Sequence, residues 1–230
     1  MRGDPKSVML FAAGFGTRMR PLTDTRPKPL IQVAGRPLLD HSLDLAREIE
    51  PKSIVVNAHY KSDQIVDHLR GQDVEVCIEA DKILDTGGGL RAALPFLGSG
   101  SVFTMNTDAI WVGSNPLSFV QDRWNPAIMD ALLLCIHPDD AFGHIGLGDF
   151  KIDQMGRASR GHGLIYSGVQ IIKADLLTPI KESVFSLNLV WDKITREDRL
   201  FATRYSGQWC DVGRPENIKA AEALLGYGHV

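Results

Sequence analysis

Between residues 8 and 105, short apolar runs alternate with segments of helical period, and few folds accommodate that alternation. Residues 8–12, 53–58, 74–78 and 101–105 are apolar and short enough to be buried strands. Between them, residues 37–50 carry Leu39, Leu43, Ala46 and Ile49 on one helical face, and residues 62–70 carry Ile65, Val66 and Leu69. Pro37 suits a first helical position and Ser62 an N-cap. The spacing predicts βαβ units, hence a Rossmann-like α/β fold with a mostly parallel central sheet and helices on both faces. The second half is less regular. Residues 131–136 and 200–205 read as strands, and 186–195 and 215–225 as helices, with Gly226 stopping the last. Residues 150–153 and 164–172 read as antiparallel or mixed additions. No repeat, low-complexity tract or linker interrupts the 230 residues, so one domain is expected.

Composition narrows the function classes. With 44% hydrophobic and 23% charged residues the chain is of globular type, which excludes a disordered or fibrous protein. Its net charge of −3 argues against a dedicated nucleic-acid partner. Cys77, Cys135 and Cys210 are odd in number, widely spaced and without a CxxC. They read as reduced cytosolic thiols, neither a disulfide framework nor a zinc site. The apolar run at 8–13 enters glycines and arginines within a few residues, as a buried strand does and a secretory signal does not. No stretch approaches the roughly 18 apolar residues of a membrane span. The expectation is a cytoplasmic protein with no membrane partner.

The densest chemistry follows the first strand. From Gly14 to Arg36 the chain carries five basic residues and one acid, Asp24. Pro21, Pro27 and Pro29 break any helix there, so this is a long loop. Glycines at a strand's carboxyl end let backbone N–H groups converge on an anion, and in open α/β sheets that edge is where ligands bind. Arg18 and Lys28 could add positive charge for a polyphosphate. A dinucleotide fingerprint would require glycine where Met19 stands, and no Walker spacing exists, which demotes a dehydrogenase.

The string AAGFGTRM followed by RPKPL resembles the signature of the sugar-1-phosphate nucleotidyltransferases. Similar motifs recur in order along most of the chain: Gly35-Arg36-Pro37-Leu38, Asp85-Thr86-Gly87-Gly88-Gly89, Asn106-Thr107-Asp108, Tyr166-Ser167-Gly168 and Trp209-Cys210-Asp211-Val212-Gly213. The resemblance implies a single nucleotidyltransferase domain, about 1–112 binding nucleotide and about 113–230 binding sugar phosphate. It implies that Ala13, Gly14, Gly16, Thr17 and Arg18 cradle the triphosphate, with Lys28 on the α-phosphate. Gly87 and Gly88 would meet the nucleobase from a turn at 86–89, ahead of a short helix at 90–94. Asn106 would reach ribose or phosphate, or merely end its strand.

By the same resemblance Asp108, past a strand's carboxyl end, and Asp211, in a turn-like segment, would hold Mg²⁺, which favours a couple of carboxylates plus water and phosphate oxygens. Taken singly, Asp108 reads equally as an Asx turn and Asp211 as a charge at a helix N-terminus. Thr107 departs from the pattern, in which glycine commonly precedes the metal carboxylate.

The sugar side is thinner. Asp149 could face sugar hydroxyls or form a hairpin turn, Gly168 marks a bulge or a backbone kept bare for a ligand, and Asn188 lies on a helix that could reach the same pocket. The Glu-Lys pair of the hexose-1-phosphate thymidylyltransferases is missing, with Ser159-Arg160-Gly161-His162 in its place. His137, His144 and His162 lack zinc-motif spacing and read as scatter.

The expected reaction is Mg²⁺-dependent transfer of a nucleotidyl group from a nucleoside triphosphate to a sugar 1-phosphate. The short form and its DTGGG loop are most similar to members joining UTP to N-acetylmuramate 1-phosphate in cell-wall sugar recycling. Guanylyl transfer to mannose 1-phosphate, thymidylyl or uridylyl transfer to glucose 1-phosphate, and a non-catalytic nucleotide-sugar sensor are the alternatives. A homodimer is compatible with a catalytic domain of this size.

Overall fold

A computed structural model describes residues 4–227. The first strand, β1 (Ser7–Phe11), leads through three short 3₁₀ turns and a hairpin, β2 (Gln32–Val33) and β3 (Arg36–Pro37), into α1 (Leu38–Glu48). Next come β4 (Ser53–Ala58), α2 (Ser62–Leu69), β5 (Glu75–Ile78), α3 (Asp85–Leu97), β6 (Ser101–Asn106), β7 (Ala109–Val112) and α4 (Pro116–Gln121). The second half holds β8 (Ala131–Ile136), β9 (Ala141–Phe142), β10 (Phe150–Ile152), β11 (Ala158–Arg160) and β12 (Ile165–Lys173). It closes with α5 (Leu187–Arg196), β13 (Leu200–Arg204), β14 (Gln208–Asp211) and α6 (Asn217–Leu224).

Seven strands form one sheet in the order β13-β8-β12-β6-β1-β4-β5. β12 alone runs antiparallel to its neighbours β6 and β8; the other pairings are parallel. The strands are apolar at odd and even positions alike because both faces are covered. Val8 and Leu10 pack with α1, α2 and α4, whereas Met9 packs with α3 and α5. The expected Rossmann-like architecture stands, and no described helix is long and apolar enough to cross a membrane.

Two readings are corrected. The glycines at 87–89 form no turn, because α3 starts at Asp85 and contains all three. Bare Cα positions let this helix press close to its neighbours: a Cβ at Gly87 would sit 2.3 Å from the Phe185 ring, and one at Gly88 would sit 2.6 Å from the Ser183 carbonyl. Asp211, expected in a turn, ends β14, the middle strand of a small sheet ordered β7-β14-β9. α6 packs Ala221 beneath that sheet with Cys210, Val212 and Ile110.

Candidate active site

β1 is the switch point of the sheet. β4 and β5 lie to one side of it and β6 to the other, and such a reversal opens a crevice beyond the carboxyl ends of the strands. Ala12, Ala13 and Gly14 leave β1 there, and Asn106, Thr107 and Asp108 leave β6; all line a crevice of about 220 Å³. Thr107 does what a glycine could not. Its hydroxyl donates to the Phe11 carbonyl at 2.8 Å, tying the two strand ends together.

The long loop is built to present Lys28 inward. Gly16 adopts φ +62°, and a Cβ on it would lie 2.9 Å from Lys28 Cβ and from Thr23 Cγ2, so only glycine fits. Thr23 donates its hydroxyl to the Gly16 carbonyl at 2.9 Å, and Tyr60 donates to the Thr23 carbonyl at 2.9 Å. Met19 is fully buried and anchors the turn, while Gly14, Thr17 and Arg18 stay exposed. Lys28, 13% exposed, puts Nζ 2.6 Å from Asp108 Oδ2.

The β7–β14 ladder delivers the second carboxylate. Ala109 pairs with Asp211, and the Val212 amide donates to the Asp108 carbonyl at 2.8 Å. Burial and the Asp108 carboxylate push the Asp211 carboxyl above its usual range, while Lys28, Arg18 and His144 pull it back. Two carboxylates and cationic groups from three segments thus share one neighbourhood. Among the described residues no cluster of three or more His, Cys, Asp or Glu could hold a metal. A cation here would take two protein carboxylates, the number that suits Mg²⁺ bound chiefly to water and phosphate. Such an ion would relieve the unfavourable meeting of Asp108 with Asp211.

The other crevice wall is a buried network. Asn57 accepts from the Ala12 amide at 2.8 Å and donates to Glu79 Oε1 at 2.7 Å, and Glu79 Oε2 accepts from the Leu84 amide at 2.7 Å. Asp85, at φ +61°, and Thr86 complete this wall. Gly87 and Gly88 lie beneath it, and both amides donate to the Phe185 carbonyl, at 2.9 and 3.0 Å.

The sugar-side candidates stand further out. Gly168, at φ +89°, sits at a bulge in β12, where a Cβ would meet Asn106 at 2.7 Å; its bareness serves Asn106, which lines the crevice. Asp149 Oδ2 accepts from the Tyr166 amide at 2.9 Å. Asn188 Oδ1 accepts from Arg160 at 2.7 Å.

Sequence reasoning missed Asn57. The signal was an amide at the carboxyl end of an otherwise apolar strand, SIVVNA. It also dismissed His144, whose ring lies 6.2 Å from that of Trp209 and which is among the groups that draw the Asp211 carboxyl down. Cys210 is packing: burial, with a contribution from Asp211, pushes its thiol up to about 11.

Residues 8–147 match the family described as MobA-like NTP transferase domain. The chain is 36% identical to N-acetylmuramate alpha-1-phosphate uridylyltransferase of Caulobacter vibrioides, covering 96% of this chain and 97% of that protein. It is 33% identical to the Neisseria meningitidis serogroup B protein of the same name, covering 95% and 98%. In three dimensions it resembles HddC from Yersinia pseudotuberculosis complexed with GMP-PN, with a TM-score of 0.77 over 96% of this chain and 99% of that one, at 21% identity. A nucleotidyltransferase signature, the crevice it lines and relatives matched end to end agree: this chain belongs to the MobA-like NTP transferase family, as a sugar-1-phosphate nucleotidyltransferase.

Proposed function

We propose that the protein transfers a uridylyl group from UTP to N-acetylmuramate 1-phosphate, giving the nucleotide sugar and pyrophosphate. The observation that carries this reading is the meeting of Lys28, Asp108 and Asp211 at the mouth of the glycine-led loop, supported by the names of the two full-length relatives. The crevice, at about 220 Å³, falls short of the roughly 300–1,000 Å³ of sites that enclose a whole ligand. It accommodates base and ribose beside Asn57, Glu79 and Thr86, and the triphosphate runs out along the exposed face of Gly14, Thr17 and Arg18.

A phosphate oxygen of the sugar phosphate attacks the α-phosphorus in line. The bond from that phosphorus to the bridging oxygen of the β-phosphate breaks, and pyrophosphate leaves with the electron pair. The nucleophile is already ionised near neutral pH, so no side chain need remove a proton; the protein aligns the reactants and neutralises charge. Lys28 stabilises charge gathering on the α-phosphate, and Arg18 does so on the departing pyrophosphate. Asp108 and Asp211 are the residues that would hold Mg²⁺, which would add positive charge beside the phosphate oxygens. The same reading assigns the protein to cytoplasmic recycling of cell-wall amino sugars.

Pyrophosphate release across the four nucleoside triphosphates and a set of sugar 1-phosphates, with and without Mg²⁺, tests this. Turnover is expected with UTP and N-acetylmuramate 1-phosphate, and to disappear with chelator. Lys28→Met and Asp108→Ala should each lower it by roughly 10²–10³-fold. Preference for another sugar phosphate, or near-normal rates in both variants, would overturn the reading.

A further inference from the structure

Arg160, at the end of β11, is held in a setting that the phosphate chemistry does not use. Its guanidinium lies over two rings, Cζ 4.7 Å from the centroid of Phe150 and 5.3 Å from that of Trp191. Both rings are almost wholly buried and meet edge-on at 5.8 Å, so this shelf is rigid. Nη2 donates to Asn188 Oδ1 at 2.7 Å, and Nε faces Asp192 Oδ1 at 3.3 Å. The side chain is 42% exposed, and Nη1 has no protein acceptor among the described residues. A guanidinium held against two buried rings, with Nε and Nη2 fixed by Asp192 and Asn188 and its remaining N–H groups facing water, is preorganised to grip a planar anion through two N–H groups.

This shelf continues the crevice wall. Leu187, at the start of α5 and next to Asn188, donates its amide to the hydroxyl of Thr86, which lines the crevice. On the other flank the Tyr166 ring packs 4.9 Å from Trp191, two residues before Gly168, which backs Asn106 in the crevice. Arg160 is thus tied to two residues of the crevice lining, through Leu187 to Thr86 and through Tyr166 and Gly168 to Asn106, without lining the crevice itself.

We propose that Arg160 is a specificity residue that binds a carboxylate carried by the acceptor sugar, so that the enzyme selects acidic sugar phosphates over neutral ones. The inference rests on the reading above. N-acetylmuramate differs from N-acetylglucosamine by a lactyl ether that bears one carboxylate, which matches a planar fork. Asp192 and Asn188 hold the fork in place, and the aromatic shelf withdraws one of its faces from water, which strengthens the pair.

The test compares N-acetylmuramate 1-phosphate with N-acetylglucosamine 1-phosphate, as substrate or as competitive inhibitor, in wild type, Arg160→Met and Arg160→Lys. In Arg160→Met the KM or Ki for the acidic sugar should rise roughly ten- to a hundredfold, the range for a hydrogen bond to a charged group. The constant for the neutral sugar should move less than about twofold, which also reports that the variant is folded. Arg160→Lys should fall between, keeping the charge without the fork. Equal weakening for both sugars would assign Arg160 to the shared phosphate or to structure and overturn the proposal, as would unchanged selectivity in both variants. If wild type uses N-acetylmuramate 1-phosphate and the variants keep its selectivity, only this inference fails; if wild type binds neither sugar phosphate, both readings fail.

Discussion

Asp211 is a residue whose charge costs the fold stability. Burial and Asp108 both disfavour its ionised form, and Lys28, Arg18 and His144 compensate only in part. The folded state therefore holds this proton more tightly than the unfolded chain, in which the group titrates near 3.8. The cost is absent below the unfolded pKa and grows as pH rises toward and past the elevated folded one. Asp211→Asn removes that cost along with the carboxylate. Metal-free at neutral pH, this variant should melt a few degrees higher than wild type, the gain shrinking toward the acid end, while turnover falls by roughly a hundredfold or more. Thermal melts in chelator across pH, beside a rate measurement, check both halves. A destabilised, inactive variant would mean that Asp211 serves packing rather than the ion.

At the scale of elements, α3 decides how tightly the crevice wall closes. Gly89 brings its second turn against Glu79: a Cβ there would lie 2.6 Å from Oε1 and 2.9 Å from Asn57 Nδ2, inside hydrogen-bond contact. Neither neighbour can yield, since Asn57 also accepts the Ala12 amide and Glu79 the Leu84 amide. Gly89→Ala gains about 1 kcal/mol in helix propensity, yet the clash should exceed that gain and lower stability by roughly 1–3 kcal/mol net. Because the displaced groups hold the chain leaving β1, the KM for the nucleoside triphosphate should rise more than kcat falls. Urea melts and steady-state kinetics decide this; a stabilised variant with unchanged KM would show the wall to be slack. The same element shows where sequence ceases to be legible. Periodicity found β4 and β8 to the residue because their apolar runs end sharply, yet three consecutive glycines read as a turn. What made them helical, the Phe185 carbonyl accepting two of their amides, lies a hundred residues away. β14 was hidden for the same reason, since its ladder partners are β7 and the two-residue β9.

For the whole molecule, one sheet binds the two halves: β6 comes from the first, β12 and β8 from the second, and Asp108 and Asp211 meet only because β7 and β14 pair across them. The glycine-led loop, Lys28 and the two carboxylates that the fold brings together could be picked out in the sequence, being carried by contiguous motifs. The buried Asn57–Glu79 network, the Arg160 shelf and His144 could not, being set by packing between distant segments. Such a site, contributed by segments from both ends of the chain, should tie nucleotide binding to global stability. UTP with Mg²⁺ at about a hundred times its Kd should stabilise the fold by about 2.7 kcal/mol, a rise in melting temperature of roughly 5–11 °C for a chain of this size. With chelator in place of Mg²⁺ the rise should shrink at equal UTP, because Lys28 and Arg18 then meet the triphosphate without a divalent ion. Asp108→Asn should abolish the difference between the two conditions while keeping whatever shift UTP gives alone. A wild-type shift independent of Mg²⁺ would place the nucleotide away from the two carboxylates, and the crevice beside β1 would then have to be assigned to another ligand.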